Sequence, residues 1–134
     1  MGDEGVGCRV AELCAERLHG VDVRDLGTVG TRLLHLLSGR RKVVVVDCAR
    51  MGAVPAECRR FTLGEVRDGG HRPRLSLHEG SLWDVLELAR SVGNDDPEIV
   101  VFGIEPDRVG PSPDLSEALR ARLGEYASAV AHEF

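Results

Sequence analysis

No part of the sequence approaches the ~20 consecutive apolar residues that a membrane-spanning helix requires, so a helical membrane protein is not expected. Positive charge is also scarce, with 17 Lys and Arg against 22 Asp and Glu and a formal net charge of −5. A broad basic footprint for nucleic acid is therefore not expected. The short run Arg40-Arg41-Lys42 reads as a solvated turn before a buried strand. The opening Met1-Gly2-Asp3-Glu4 is acidic and polar, unlike a secretory signal, and a cytoplasmic protein is expected. Cys8, Cys14, Cys48 and Cys58 contain no C-x-x-C pair. Nothing in them points to structural zinc, and small buried hydrophobes in a reducing compartment is the better reading. A G-x-G-x-x-G turn after a strand is missing as well. The two carboxylates of Asp3-Glu4 would repel a phosphate, which makes a nucleotide-binding reading weak.

What is present suits one soluble domain. The 134 residues, 43% hydrophobic and 29% charged, are enough for a single sizeable core. Val6, Val10, Leu13, Cys14 and Leu18 recur at helical spacing and Gly20 follows as a stop signal. Val21 to Asp25 alternates and predicts a short strand; Leu33, Leu34, Leu36 and Leu37 predict a second helix. The run Val43-Val44-Val45-Val46, ending at Asp47, has the composition of a strand covered on both faces, as in a parallel sheet. A strand is predicted around Arg59 to Leu63 and a loop from Val66 to Leu75. Leu82, Val85, Leu86, Ala89 and Val92 then predict a helix, and Ile99 to Ile104 a second buried strand. A last helix starts near Asp114 or Ser116, with Leu115, Leu119, Leu123, Tyr126 and Val130 inward. Strands alternate with helices, which predicts a three-layer α/β/α domain around a mostly parallel, twisted sheet.

Ligands in such sheets gather beyond the carboxyl ends of the strands. Asp47 and Glu105 both fall at predicted strand ends, where an acid is functional or simply caps a nearby loop. His78 lies just before the Leu82–Val92 helix, where the dipole would keep its imidazole neutral, as metal binding needs. A surface histidine with a capping role fits the same position. Asp3 and Glu4 either complement the dipole of the first helix or cradle a cation.

Five segments in order resemble one family, the hydrogenase maturation proteases. Asp3-Glu4-Gly5-Val6-Gly7 followed by Arg9-Val10-Ala11-Glu12 resembles its acidic D-[DE]-G-x-G motif and first helix. Asp25-Leu26-Gly27-Thr28-Val29-Gly30 is similar to its G-T-x-G turn, and Val43 to Asp47, with Pro55 beyond, to its buried strand ending in aspartate. Ser76-Leu77-His78 matches its S-x-H element; Gly103-Ile104-Glu105-Pro106 and Leu115-Ser116 match its G-I-[EQ]-P and L-S elements.

The resemblance implies an endopeptidase that removes the C-terminal extension of a nickel-loaded hydrogenase large-subunit precursor. It implies Glu4, Asp47 and His78 as the residues that recognise nickel, two carboxylates and an imidazole that hold a divalent ion loosely with open positions. The nickel would arrive with the substrate rather than reside in the protein. Asp47 is the candidate catalytic residue, either beside a metal that polarises the scissile carbonyl or as a general base. Gly27, Thr28 and Gly30 would shape the substrate cleft, although a plain strand–helix turn accounts for them as well. The expected partner is the precursor, with no nucleic acid or membrane, and the protein is expected to be a monomer.

The chain departs from the family pattern in two places. Members begin with a hydrophobic strand and a G-x-G-N turn ahead of the acidic motif, and this sequence opens inside that region, so an N-terminally truncated domain over residues 1–134 is expected. Ala56 stands where the family tends to have glycine after Pro55. The rival reading is a binding module that holds nickel-loaded precursor, or a divalent ion, without cleaving.

Overall fold

Alternation along two central strands decides where the core sits. The computed structural model describes residues 2–24, 36–37, 39–65, 74–75, 83–84, 87–88, 91, 97–107 and 114–134, with backbone alone at Glu4, Arg74 and Leu75. Four strands are described: β1 (Lys42–Arg50), β2 (Cys58–Thr62), β3 (Arg74–Leu75) and β4 (Glu98–Ile104). They form one sheet in the order β2-β4-β1-β3. β1 and β4 run parallel, in register from Lys42 opposite Glu98 to Cys48 opposite Ile104. β2 pairs antiparallel with β4, and β3 antiparallel with the end of β1 at Ala49 and Arg50. The described sheet is therefore mixed, with its long central pairing parallel.

Side chains of a strand point alternately to opposite faces. On β4, Val100, Phe102 and Ile104 face one way and Ile99 and Val101 the other, and all five are buried. The first set packs against α1 (Val6–Arg17), α2 (Glu117–Ala121) and α3 (Leu123–Ala131), through Val6, Val10, Cys14, Leu119, Tyr126 and Val130. The second set packs against Leu37, Leu63 and Trp83, all on helical backbone. Helices thus cover both faces, and the fold is an α/β/α sandwich. Parallel strands need that double cover, which is why both central runs are almost wholly apolar.

Several expectations are corrected. Val21 to Arg24 is irregular backbone, not a strand, and Asp25 lies outside the described residues. Arg74–Leu75 forms β3 where a loop is predicted, because the end of β1 offers it an antiparallel edge. β1 does not stop at Asp47 but continues through Cys48 and Ala49, both buried, to Arg50. The helix predicted over 82–92 turns Trp83 into the core at 1% exposure, a residue that the leucine and valine spacing does not single out. The last helix is broken at Arg122, while Leu115, Leu119, Leu123, Tyr126 and Val130 all face inward as predicted.

The chain end is tied back to the sheet. Glu133 meets Lys42 at 3.1 Å and Arg60 at 2.7 Å, joining β1 and β2. The hydrogen bond from Arg60, with that from Lys42, holds its carboxyl down at about 2. Among the described residues no helix is long and apolar enough to cross a membrane. All four cysteines are free thiols, Cys14 and Cys48 buried and Cys8 and Cys58 partly so. Burial pushes the Cys58 thiol up to about 11, so it stays protonated and inert near neutrality.

Candidate functional site

The carboxyl edge of the β1–β4 pair collects the polar groups that the core cannot take. Asp47 is 4% exposed, inside β1, and its Oδ1 accepts the backbone N–H of Cys48 at 2.8 Å. By alternation it shares a face of β1 with Val43, Val45 and Ala49, the face that packs against Leu37 and Trp83. The backbone of β1 at this point is overlain from the opposite side by α1. A Cβ on Gly7 would lie 2.4 Å from the carbonyl oxygen of Val46 and 3.6 Å from Cα of Asp47. Only glycine allows this approach, which brings the N-terminal motif against the strand that carries Asp47.

Glu105, the acid that ends β4, is spent on a loop. Its Oε1 accepts the N–H of Met51 at 2.8 Å and of Ala53 at 3.0 Å. Its own N–H donates to the carbonyl of Glu57 at 2.9 Å, and its carbonyl accepts from Ala56, also at 2.9 Å. Of the two roles open to a strand-end acid, Glu105 has the capping one: it fixes the segment 51–57 that leaves the Asp47 strand. Gly103 contributes from below, since a Cβ there would sit 2.8 Å from that of Ala49 and 3.1 Å from the sulfur of Met51.

Asp3 is the residue whose place the sequence leaves most open. It lies in a 3-10 turn, Gly2–Gly5, that feeds directly into α1, and it is fully buried. Oδ1 accepts the N–H of Ser116 at 2.6 Å; Oδ2 accepts the Ser116 hydroxyl and the N–H of Asp107, each at 2.9 Å. The acidic motif is thereby joined to the turn after β4 and to the start of α2. The pairing of an Asp near residue 3 with a Leu-Ser at 115–116 is a signal the sequence contains but spacing alone does not decode.

Of the sequence-predicted site residues, Asp47 is placed as a buried carboxylate at the sheet edge, and Glu4 follows Asp3 in the same turn. The side chain of Glu4, and Gly27, Thr28, Gly30 and His78 entirely, lie outside the described residues. Trp83, five positions after His78, packs on the sheet face that Asp47 shares. Among the described residues no three His, Cys, Asp or Glu side chains form a metal-holding group.

A groove of about 540 Å³ leads along β1 to Asp47. One wall is β1 from Lys42 to Asp47; the others come from α1 (Gly7, Cys8, Val10), from Val21 to Arg24 and from Leu36 and Leu37. On this side, among the described residues, β1 is paired only at Ala49 and Arg50, by β3.

Comparison with known proteins gives a family and a fold. A family model described as "HycI: Hydrogenase maturation protease" matches residues 8–133. The chain is 34% identical over 136 residues to "Hydrogenase expression/formation protein HoxM" of Azotobacter vinelandii, and 33% identical to HupM of Azotobacter chroococcum. In both cases the match covers 98% of this chain and 65% of the relative, so the chain spans just under two thirds of those relatives' length. The fold is that of the hydrogenase maturating endopeptidase HybD from E. coli, with a TM-score of 0.84 over 99% of this chain and 84% of that one, at 23% identity.

Proposed function

The chain belongs to the hydrogenase maturation protease family, and we propose that it is the endopeptidase that removes the C-terminal extension of a nickel-loaded hydrogenase large-subunit precursor. The family match along residues 8–133 carries this reading. Two features of the site support it. A carboxylate, Asp47, stands 4% exposed at the edge where ligands gather in α/β sheets, at the end of a groove. The turn bearing Glu4 is pressed against the same strand through Gly7.

In this reading Glu4, Asp47 and His78 recognise the nickel of the precursor. The donor set suits the task, because two carboxylates and an imidazole bind a divalent ion without filling its coordination sphere. A metal already held by cysteine thiolates of the precursor keeps those ligands, and only loaded precursor presents the charge that the site reads. Docking the ion holds the scissile segment still, and positioning of that kind supplies a large part of the acceleration of a hydrolysis. Asp47 takes the proton of the attacking water, or holds the ion that polarises the scissile carbonyl. Gly27, Thr28 and Gly30 contribute to recognition of the extension, as the family resemblance implies. The protein works as a monomer in the cytoplasm, with the precursor as its partner.

Incubation of the purified protein with nickel-loaded and with metal-free precursor tests the proposal. Cleavage of the loaded form alone is expected, and its loss in Asp47→Ala and in His78→Ala. Normal processing by either variant would overturn the site assignment. Capture of loaded precursor without cleavage by the wild type would leave a recognition module rather than a protease.

A further inference from the structure

Of the two adjacent acids of the N-terminal motif, the first is taken up inside the protein. Asp3 is a fully buried carboxylate with hydrogen bonds to three donors from two distant segments, the Asp107 N–H and the N–H and hydroxyl of Ser116. Burying a carboxylate costs several kcal/mol and is tolerated only when its oxygens are met by well-placed donors. Three charge-assisted hydrogen bonds meet that demand, and each is stronger than a neutral one. Asp3 is thus committed to donors within the protein, two backbone N–H groups and the Ser116 hydroxyl.

The geometry next to it shows what that commitment does. Asp3 pins the start of the turn to residues 107 and 116. Four residues later Gly7 pins the start of α1 to the backbone of Val46 and Asp47, so closely that a methyl group would meet the Val46 carbonyl at 2.4 Å. Glu4 belongs to the short span between these two anchors. Its backbone therefore has little room to shift relative to Asp47. We propose that Asp3, through Ser116, is the positioning residue that sets Glu4 against Asp47.

This rests on the reading of Glu4 and Asp47 as the pair that meets the precursor's nickel. A loose supporting contact is costly at such a site, because a misplacement of ~1 Å can lower a rate by ~100-fold. Asp3→Asn turns one acceptor into an amide donor facing N–H groups, and Ser116→Ala removes the hydroxyl alone. Both leave Glu4 and Asp47 chemically intact. A merely structural Asp3 would lower the melting temperature and leave the turnover of folded protein unchanged. A positioning Asp3 lowers turnover in protein that is fully folded.

The test measures kcat and KM for cleavage of nickel-loaded precursor, well below the melting temperature of each variant, in Asp3→Asn, Ser116→Ala, Glu4→Gln and the double variant Asp3→Asn/Glu4→Gln. Leu63→Ala, a buried core truncation on the sheet face away from α1 and α2, controls for lost stability. Asp3→Asn is expected to lower kcat/KM at least tenfold and Ser116→Ala less, with Leu63→Ala near wild type. The double variant is expected to be no worse than Glu4→Gln, since a misplaced ligand and a missing one are the same loss. Additive effects, or an Asp3→Asn variant that behaves like Leu63→Ala, would overturn the inference and leave the role of Glu4 standing. Wild-type processing by Glu4→Gln would instead remove the role of Glu4 itself. Should Asp3→Asn fail to fold, the same cycle between Ser116→Ala and Glu4→Gln decides the matter.

Discussion

Tyr126 donates its hydroxyl hydrogen to the carbonyl oxygen of Ala56 at 2.6 Å, across 70 residues of chain. Arg122 donates to the same oxygen at 2.7 Å and stacks over the Tyr126 ring at 5.6 Å. Two donors on α3 and at its start therefore grip one peptide of the loop that follows β1. That peptide is unusual, because Ala56 has a φ of 73°, in the left-handed region.

Replacing Ala56 with glycine should stabilise the protein. An L-residue in the left-handed region costs roughly 1–2 kcal/mol, whereas the methyl lost is worth about 0.8 kcal/mol of burial. The expected net gain is up to about 1 kcal/mol, and Ala56→Val should lose more than about 2 kcal/mol through its branched Cβ. Urea denaturation of the three proteins measures this. A Val variant as stable as wild type would show that the loop relaxes out of the left-handed conformation.

Tyr126→Phe is expected to cost about 1 kcal/mol, the worth of one buried hydrogen bond. It should not cost more, because Arg122 still satisfies the Ala56 carbonyl. Burial pushes the Tyr126 hydroxyl up to about 12, against an unfolded value near 10. A raised acid stabilises the fold fully below pH 10, and that contribution disappears as pH rises through 10 towards 12. Melting temperatures between pH 9 and 12 should fall more steeply for wild type than for Tyr126→Phe. Parallel curves would rule out this tyrosine as the alkaline titrant.

The legible parts of this fold are those where one local pattern meets one tertiary role. The four-valine run and Ile99 to Ile104 read as doubly covered strands and became the central parallel pair. The spacing of Val6, Val10 and Cys14 became the buried face of α1. Val21 to Arg24 alternates like a strand, yet alternation describes a chain with a hydrogen-bonding neighbour, and none is paired with it among the described residues. Arg74–Leu75 carries no strand signal and is extended because the end of β1 offers it an antiparallel edge on the side away from β4. At the candidate site, the buried position of Asp47 was legible from its place at the end of an apolar run. The bonding of Asp3 was not legible, since its partner Ser116 lies more than a hundred residues away.

Gly5 and Gly7 belong to one motif and should respond differently to the same substitution. A Cβ on Gly5 meets nothing within 4 Å, so Gly5→Ala should change stability by less than about 1 kcal/mol, the scale of a glycine-to-alanine change at a helix N-cap. A Cβ on Gly7 meets backbone atoms of β1, which cannot swing aside as a side-chain tip can. Gly7→Ala should cost more than about 2 kcal/mol, the range of overpacking in a rigid site. It should also lift α1 from Asp47 and lower processing of loaded precursor. Thermal melts and the cleavage assay together check both halves, and equal tolerance at the two positions would contradict the close approach.

Glu105 supplies the sharpest separation between charge and hydrogen bonding. One of its oxygens accepts from both Met51 and Ala53, so Glu105→Gln can keep both bonds through its amide oxygen at the cost of their charge assistance. The expected loss is about 1 kcal/mol, the gap between a charged and a neutral acceptor. Glu105→Ala removes the acceptor and leaves two N–H groups, one of them on the buried Met51, without it. At about 1–3 kcal/mol for each unsatisfied donor, the alanine variant should lose at least about 2 kcal/mol. The loop from Met51 to Glu57 follows the strand of Asp47, so the alanine variant should also process precursor poorly at temperatures where it is folded, while the glutamine variant cleaves normally. Glutamine and alanine variants that were equally impaired would mean that the negative charge of Glu105, rather than the bonds it accepts, is what the site requires.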